Sequence, residues 1–255
     1  MTTSFDSTAV TFELHRALPK EVPEAIRSAI WSAAGLSEPA RVLDIGAGTG
    51  RIGRAFIAAG DAYFGIDSSH AMLQEFSAVP ENCILMHADA CHLPFADDFF
   101  DAVLLMQVLS GADDWRGIVV EARRVVRKGG GCIAVGHSIH ADSGIDAQLK
   151  QHLERILEEL QVISFRPERS RREALDWLSS AAVDHTHQIA ASWDITVTPE
   201  AFLQRHRTGA RFAALPPDTQ QQAINKLRTW AERKFGALDA EFPEKRAFAV
   251  DVFKF

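Results

Sequence analysis

Three aspartates and a run of glycines are the residues of this 255-residue chain whose types and spacing could do chemistry together. Asp44 lies just before Gly46-Ala47-Gly48-Thr49-Gly50, while Asp67 and Asp89 each follow a later apolar run. Glycines let the backbone turn sharply and let a ligand touch it without meeting a Cβ atom. Between a buried strand and a helix, such a loop binds nucleotide-like molecules beyond the carboxyl end of the strand. Two patterns overlap here. G-x-G-x-G spans 46–50, and G-x-G-x-x-G, the dinucleotide fingerprint, spans Gly48–Gly53. A pyrophosphate wants bare N–H groups at a helix N-terminus and no carboxylate beside it. Asp44 instead suits a ligand that carries positive charge.

The later aspartates each admit two readings. Asp67 could accept hydrogen bonds from both hydroxyls of a ribose, or it could cap a helix over Ser69–Phe76. Met72 could pack on a base or simply fill the core. Asp89 could accept from the amino group of an adenine while the Ala90 N–H donates to the ring, or it could form a turn. His137 closes a fifth apolar run and is the best-placed candidate for a general base, against a structural histidine bonded to a loop. Ser110, His140 and His206 are weaker candidates. His185 and His187 alternate along a strand without an obvious third ligand, so no metal site is expected.

Positioning these residues takes a regular alternation. Strands are expected near 41–45, 62–66, 83–87, 101–107 and 131–137, with helices near 51–59, 69–76 and 115–126. A further helix over Pro23–Ala34 precedes them. That rhythm means a parallel sheet with right-handed crossovers. After His137 it changes to helices over Ala147–Leu160, about 169–180, Pro199–His206 and Pro217–Phe235. Strands over His187–Thr198 and Ala247–Phe255 are set among them. Leu149, Leu153, Ile156, Leu157 and Leu160 form one stripe, either core or the wall of an apolar pocket. Arg166, Arg169, Arg171 and Arg172 form a basic cluster, a solvated helix start or a seat for an anion.

Arg41-Val-Leu-Asp-Ile-Gly-Ala-Gly-Thr-Gly50 and Ala88-Asp-Ala-Cys-His-Leu-Pro-Phe-Ala-Asp-Asp-Phe-Phe-Asp101 resemble the class I S-adenosylmethionine-dependent methyltransferases, motif by motif over about 40–137. The resemblance implies a Rossmann-like α/β fold, a doubly wound seven-stranded sheet of order 3-2-1-4-5-7-6 with the last strand antiparallel. It implies S-adenosyl-L-methionine as cofactor. Asp44 would orient the methionine end, Gly46, Ala47, Gly48 and Gly50 would permit close approach, and Asp67 and Ser68 would hold the ribose. Met72, Asp89 and Ala90 would meet the adenine, and Gln107 would lie near the transferring methyl. Many relatives carry a histidine after that strand. Here the residues are Gln107-Val-Leu-Ser110, so it is missing. Arg16 could pair with the methionine carboxylate, in an N-terminal segment with Phe5-Asp6 that would fold over the cofactor.

The organisation expected is a lid segment at 1–34, a cofactor core at 35–137, and helical insertions with the last two strands at 138–255. A net charge of −7 argues against nucleic acid or an anionic membrane as partner. The acceptor expected is therefore a small organic molecule. Three cysteines without metal spacing read as reduced thiols. With no signal-like start at Met1–Ser7 and no long apolar run, a cytoplasmic location is expected. The competing enzyme class is a nicotinamide-dependent oxidoreductase using Gly48–Gly53. It has no Tyr-x-x-x-Lys to support it. A third reading holds the cofactor without transferring methyl. The oligomeric state is open.

Overall fold

Short runs of β-branched and aliphatic residues, each punctuated by Gly, Asp or Pro, become the parallel strands. The computed structural model describes residues 16–37, 39–76, 83–110, 112–162, 167–207, 210–213 and 215–255. The strands β1 (Arg41–Ile45), β2 (Ala62–Asp67), β3 (Cys83–His87), β4 (Ala102–Met106) and β5 (Cys132–His140) run parallel. β6 (Asp184–Val197) and β7 (Phe242–Lys254) complete a seven-stranded sheet of order 3-2-1-4-5-7-6, with β7 antiparallel to both neighbours. Val42 to Ile45 and Ala102 to Met106 are buried throughout, as a strand covered on both faces must be.

Two layers of helix cover the sheet. Helices α1 (Val22–Ala34) and α2 (Gly53–Ala58) pack one face through Ile26, Ile30, Trp31 and Phe56. After α3 (His70–Glu75), helix α4 (Trp115–Val125) covers the other face through Ile118, Val119 and Ala122. α5 (Ile145–Glu159) follows β5, and α6 (Pro167–Ala181) joins α4 through Ala174 and Leu178. α7 (Pro199–Arg207), the short α8 (Ala210–Ala213) and α9 (Pro217–Phe235) follow β6. Leu149, Leu153 and Ile156 of α5 meet Phe202 of α7 and Ile224 and Leu227 of α9 in a third apolar cluster, so that stripe is core. No helix among the described residues is long and apolar enough to cross a membrane.

Asp101 ties the entries of two strands. Its carboxylate accepts from the Arg41 N–H at 2.9 Å and pairs with Arg127 at 2.6 Å. Below them, Asp61 is fully buried and receives Arg27 at 2.8 Å and the Ala40 N–H at 3.1 Å.

Three strand limits differ from those read in the sequence. β5 runs on to His140, β6 starts at Asp184, and β7 starts at Phe242. The extra residues build a ledge past the carboxyl end of β4, where Ser138 pairs Phe248 and His140 pairs Arg246. Its inward positions include Glu244 and Arg246, which are charged and mostly buried. Apolar alternation, the signal for a half-buried strand, is therefore broken there. The N-terminal segment with Phe5-Asp6 lies outside the described residues, as does Arg166.

Candidate active site

The glycine loop follows β1, and its backbone is already committed. Gly46 and Ala47 N–H both donate to Ile66 O, at 2.8 and 2.9 Å, Gly48 N–H donates to Asp67 Oδ2 at 2.9 Å, and Gly50 N–H donates to Ala47 O at 3.0 Å. A pyrophosphate would need such groups bare. The dinucleotide fingerprint loses its second support at Gly53, where an added Cβ would lie 2.1 Å from the Tyr63 hydroxyl. That glycine is required by packing. Gly48 is different: its φ of +56° favours glycine, and a Cβ there would meet nothing closer than 4.0 Å. Its surface is open to a ligand.

Asp44 is 2% exposed. Its Oδ2 accepts from the Tyr63 hydroxyl at 2.6 Å, while Oδ1 is buried without a partner among the described residues. Burial, opposed by the Tyr63 bond and aided by nearby Asp67, pushes its pKa up to about 7. Burial likewise raises Asp67, against the N–H groups of Ser69 and Gly48 that it accepts. An orphaned carboxylate oxygen beside an open glycine asks for a positively charged or N–H-bearing ligand. The donor set fits S-adenosylmethionine, which is cationic and has no phosphate.

At the carboxyl end of β4, Gln107 takes a φ of +64°, uncommon outside glycine. Its N–H bonds Gly136 O at 2.8 Å, and its side chain bridges two residues. Arg51 Nη2 donates to Oε1 at 2.5 Å, and Nε2 donates to Ser138 Oγ. Because a guanidinium can only donate, the amide orientation is set by chemistry. Arg51 also donates to Arg16 O at 2.5 Å, and Arg16 Nη2 to Arg205 O at 3.3 Å. Arg51 and Ser138 were not singled out in the sequence. A cation in the first turn after the loop opposes the helix dipole, and that was the available signal.

Other expected residues are placed as follows. Ser69, not Asp67, caps α3, its Oγ accepting from the Met72 N–H at 3.2 Å. Met72 is 3% exposed. Ser68 is exposed, its carbonyl 2.9 Å from His87 Nε2, and Ala90 is half-buried. Asp89 is exposed and closes its own turn, with the Cys91 N–H and His92 Nδ1 each at 2.9 Å. Its turn bonds hold its pKa down. His137 lies just past the last paired residue of β4, on one face of β5. Side chains alternate along a strand. Ser138 reaches Gln107 and His140 approaches Asp146 to 3.9 Å, so His137 shares the opposite face with Ile133 and Val135, which pack towards α4 and α6. His185 and His187 both meet Asp251 Oδ1, at 2.9 and 3.0 Å. Among the described residues no group of three or more His, Cys, Asp or Glu could hold a metal ion. In the basic cluster, Arg169 pairs with Glu173 at 2.8 Å on the surface.

One polar centre escaped the sequence reading altogether. Asp146, at the start of α5, accepts Arg205 and Arg246 on Oδ2, each at 2.6 Å, and its N–H donates to Glu244 Oε1 at 3.1 Å.

Comparison with known proteins agrees with this geometry. Residues 43–134 match the model of a methyltransferase domain. YcgJ of Bacillus subtilis, an uncharacterised methyltransferase, is 27% identical over 73% of this chain and 70% of its own length. Its crystal structure superposes with a TM-score of 0.55, at 21% identity, over 91% of this chain and 98% of that one. A demethylmenaquinone methyltransferase of Tropheryma whipplei is 36% identical over 38% of this chain, which spans only 41% of that relative. An N-methyltransferase of Haemonchus contortus, solved with S-adenosylhomocysteine, has a TM-score of 0.53 at 16% identity, over 98% of this chain and 58% of that one.

Proposed function

Since the chain belongs to the class I S-adenosylmethionine-dependent methyltransferases, we propose that it moves a methyl group from S-adenosyl-L-methionine to a small organic acceptor, with the Asp44–Gly48 cradle as cofactor seat. The observation that carries this is Asp44 Oδ1, buried without a partner beside the open face of Gly48. Asp44 receives the amino end of the cofactor, and Asp67 the ribose. Ser68 stands with Asp67 at the ribose, and Met72, Asp89 and Ala90 border the base. Arg51, which donates to Gln107 Oε1 and to the Arg16 carbonyl, and Arg16 itself stand where the methionine carboxylate would lie.

The cofactor, when bound, supplies a methyl group already activated on a cationic sulfur. What remains for the chain is alignment and exclusion of water. Gln107, locked between Arg51 and Ser138, gives the acceptor side a fixed floor at the end of β4. The ledge of β5 and β7 extends past it. The acidic net charge supports a small molecule over nucleic acid as acceptor.

Titration calorimetry with S-adenosylmethionine and with NADH tests the reading. Binding of the first with release of a proton from Asp44 is expected. NADH binding without any for S-adenosylmethionine would overturn it.

A further inference from the structure

Strand β6 ends the sheet, and among the described residues it pairs on one side only, with β7. It is 14 residues long, against 5 for β3 at the opposite edge. A strand edge presents a row of unpaired N–H and C=O groups that templates another strand, and proteins blunt it with Lys, Pro, short length or a bulge. Asp184–Val197 contains no Lys, Arg or Pro. Val183 and Ile189 are two of the four large apolar side chains exposed among the described residues, at 82% and 50%. One immediately precedes this strand and the other lies on it.

The edge does carry a bulge, and the bulge is selective. Ala190 is the extra residue between Ile189, which pairs Ala249, and Ala191, which pairs Phe248. Before it the odd-numbered residues share the face of Asp251, and after it the even-numbered ones do. His185, His187 and Ile189 therefore stand on one face with Ser192, Asp194 and Thr196, and all six are exposed. A straight strand laid along this edge would match the alternation on one side of the bulge and be inverted on the other. A strand with the same shift in the same place has no such conflict. A second copy of β6, run antiparallel about a two-fold axis at Ala190–Ala191, meets that condition, because those residues are also the middle of the strand.

In that register the facing residues suit one another. His187 stands opposite Asp194 of the second copy, and symmetry repeats the pair. Ile189 falls opposite Ser192, and the two Ile189 side chains lie diagonally across the axis. His187 meets Asp251 Oδ1 through Nδ1 at 3.0 Å, which leaves Nε2 for the copy. Asp194 is exposed and unpaired among the described residues, with Lys245 as its β7 neighbour.

We propose that β6 is a self-complementary docking edge, and that two copies of this chain join there into one continuous sheet. Main-chain bonds supply the affinity, while the central bulge and the paired His187 and Asp194 select a like partner. The interface is isologous and closes after two copies, since β6 is then used.

Sedimentation of the full chain over about 1–100 μM tests this, and a dimer that dissociates on dilution is expected. Ile189→Lys, which places a charge on each side of the axis, should be monomeric throughout. Asp194→Lys puts a cation opposite His187 twice and should raise the dissociation constant about tenfold. Ile84→Lys, on the β3 edge, should leave the dimer intact. Thermal unfolding followed by circular dichroism reports whether each variant is folded. Should Ile189→Lys fail to fold, Asp194→Lys decides. A natural chain that stays monomeric over the whole range overturns the proposal. So does a dimer that neither β6 variant weakens, which would use another surface. Mass that keeps growing past two copies overturns it as well, because that is open stacking and not a two-fold pair.

Discussion

The two ends of the candidate site are built on opposite charges, carboxylates behind the glycine loop and guanidiniums gathered on Asp146 past the end of β4. At the glycine loop, burial raises Asp44 and Asp67, and nearby Asp67 adds to the rise at Asp44. Beyond Gln107, burial and neighbouring guanidiniums lower Arg16, Arg246, His140 and His206. One end leaves Asp44 Oδ1 without a partner among the described residues, while the other closes two guanidiniums on Asp146. Arg51 and Gln107 stand at the junction, where a methyl group would change hands. The contrast teaches that buried charge can be left open at one end of a site and closed on itself at the other, and it can be broken from either side.

The largest effect is expected at the basic end. Asp146→Leu removes the carboxylate that Arg205 and Arg246 share and leaves two buried guanidiniums facing each other. Breaking a buried pair costs about 3–5 kcal/mol of stability, read as a lower midpoint in urea. A cost under about 1 kcal/mol would mean that these charges are solvated and the contrast is weaker than drawn.

At the acidic end the effect falls on the ligand. Asp44→Asn should weaken S-adenosylmethionine by about 2–3 kcal/mol, the range of a lost charge-assisted bond. The pH dependence gives a second handle. Asp44 has a folded pKa of about 7, against about 3.9 unfolded. The folded chain therefore binds the proton more tightly. The stability contributed by this group is whole below about pH 4 and is lost as pH rises through about 7. A cationic ligand prefers the ionised form, so affinity should rise about tenfold per unit up to pH 7 and then level. In Asp44→Asn the profile should be flat. A flat profile in the natural chain would remove the charge argument for this end.

These two ends were unequally legible in the sequence. The acidic end is local: Asp44, the glycines and Asp67 close consecutive strands, and strand periodicity places them without knowing the sheet. The resemblance added the strand order, which the observed sheet matches. The basic end joins residues 59 and 100 positions apart across two insertions. Arg205 and Arg246 were not singled out in the sequence, and Glu244 and Arg246 hid the start of β7 by breaking its apolar alternation. His140 and His206 were noticed singly, and nothing in the sequence said that they share a neighbourhood. Tyr63 is the only tyrosine of the sequence, yet its bond to Asp44 needs the pairing of β1 with β2 and the missing side chain at Gly53.

Tyr63→Phe sharpens the acidic end with a smaller effect. The ring still fits above Gly53, but Asp44 loses the one hydrogen bond that favours its ionised form. A net loss of about 1 kcal/mol corresponds to roughly 0.7 of a pH unit. The midpoint of the affinity profile should move up by that amount, with the plateau at high pH nearly kept. A midpoint that stays in place would show that Tyr63 only fills space.

The smallest effect should come from the residue that the sequence offered as a base. His137 lies on the face of β5 turned away from Ser138 and His140, in the same alternation as Ile133 and Val135. His137→Ala should leave S-adenosylhomocysteine affinity and the pH dependence of turnover unchanged, with at most a modest loss of stability from its half-buried ring. Deprotonation of the acceptor then has to come from the acceptor's own acidity or from the Ser138–His140 side of the strand. A His137→Ala chain that binds cofactor normally but loses its basic pH limb would place the acceptor on the α4 side of the sheet. The arginine end would then be only a fastening of the ledge, and the site would have one charged end instead of two.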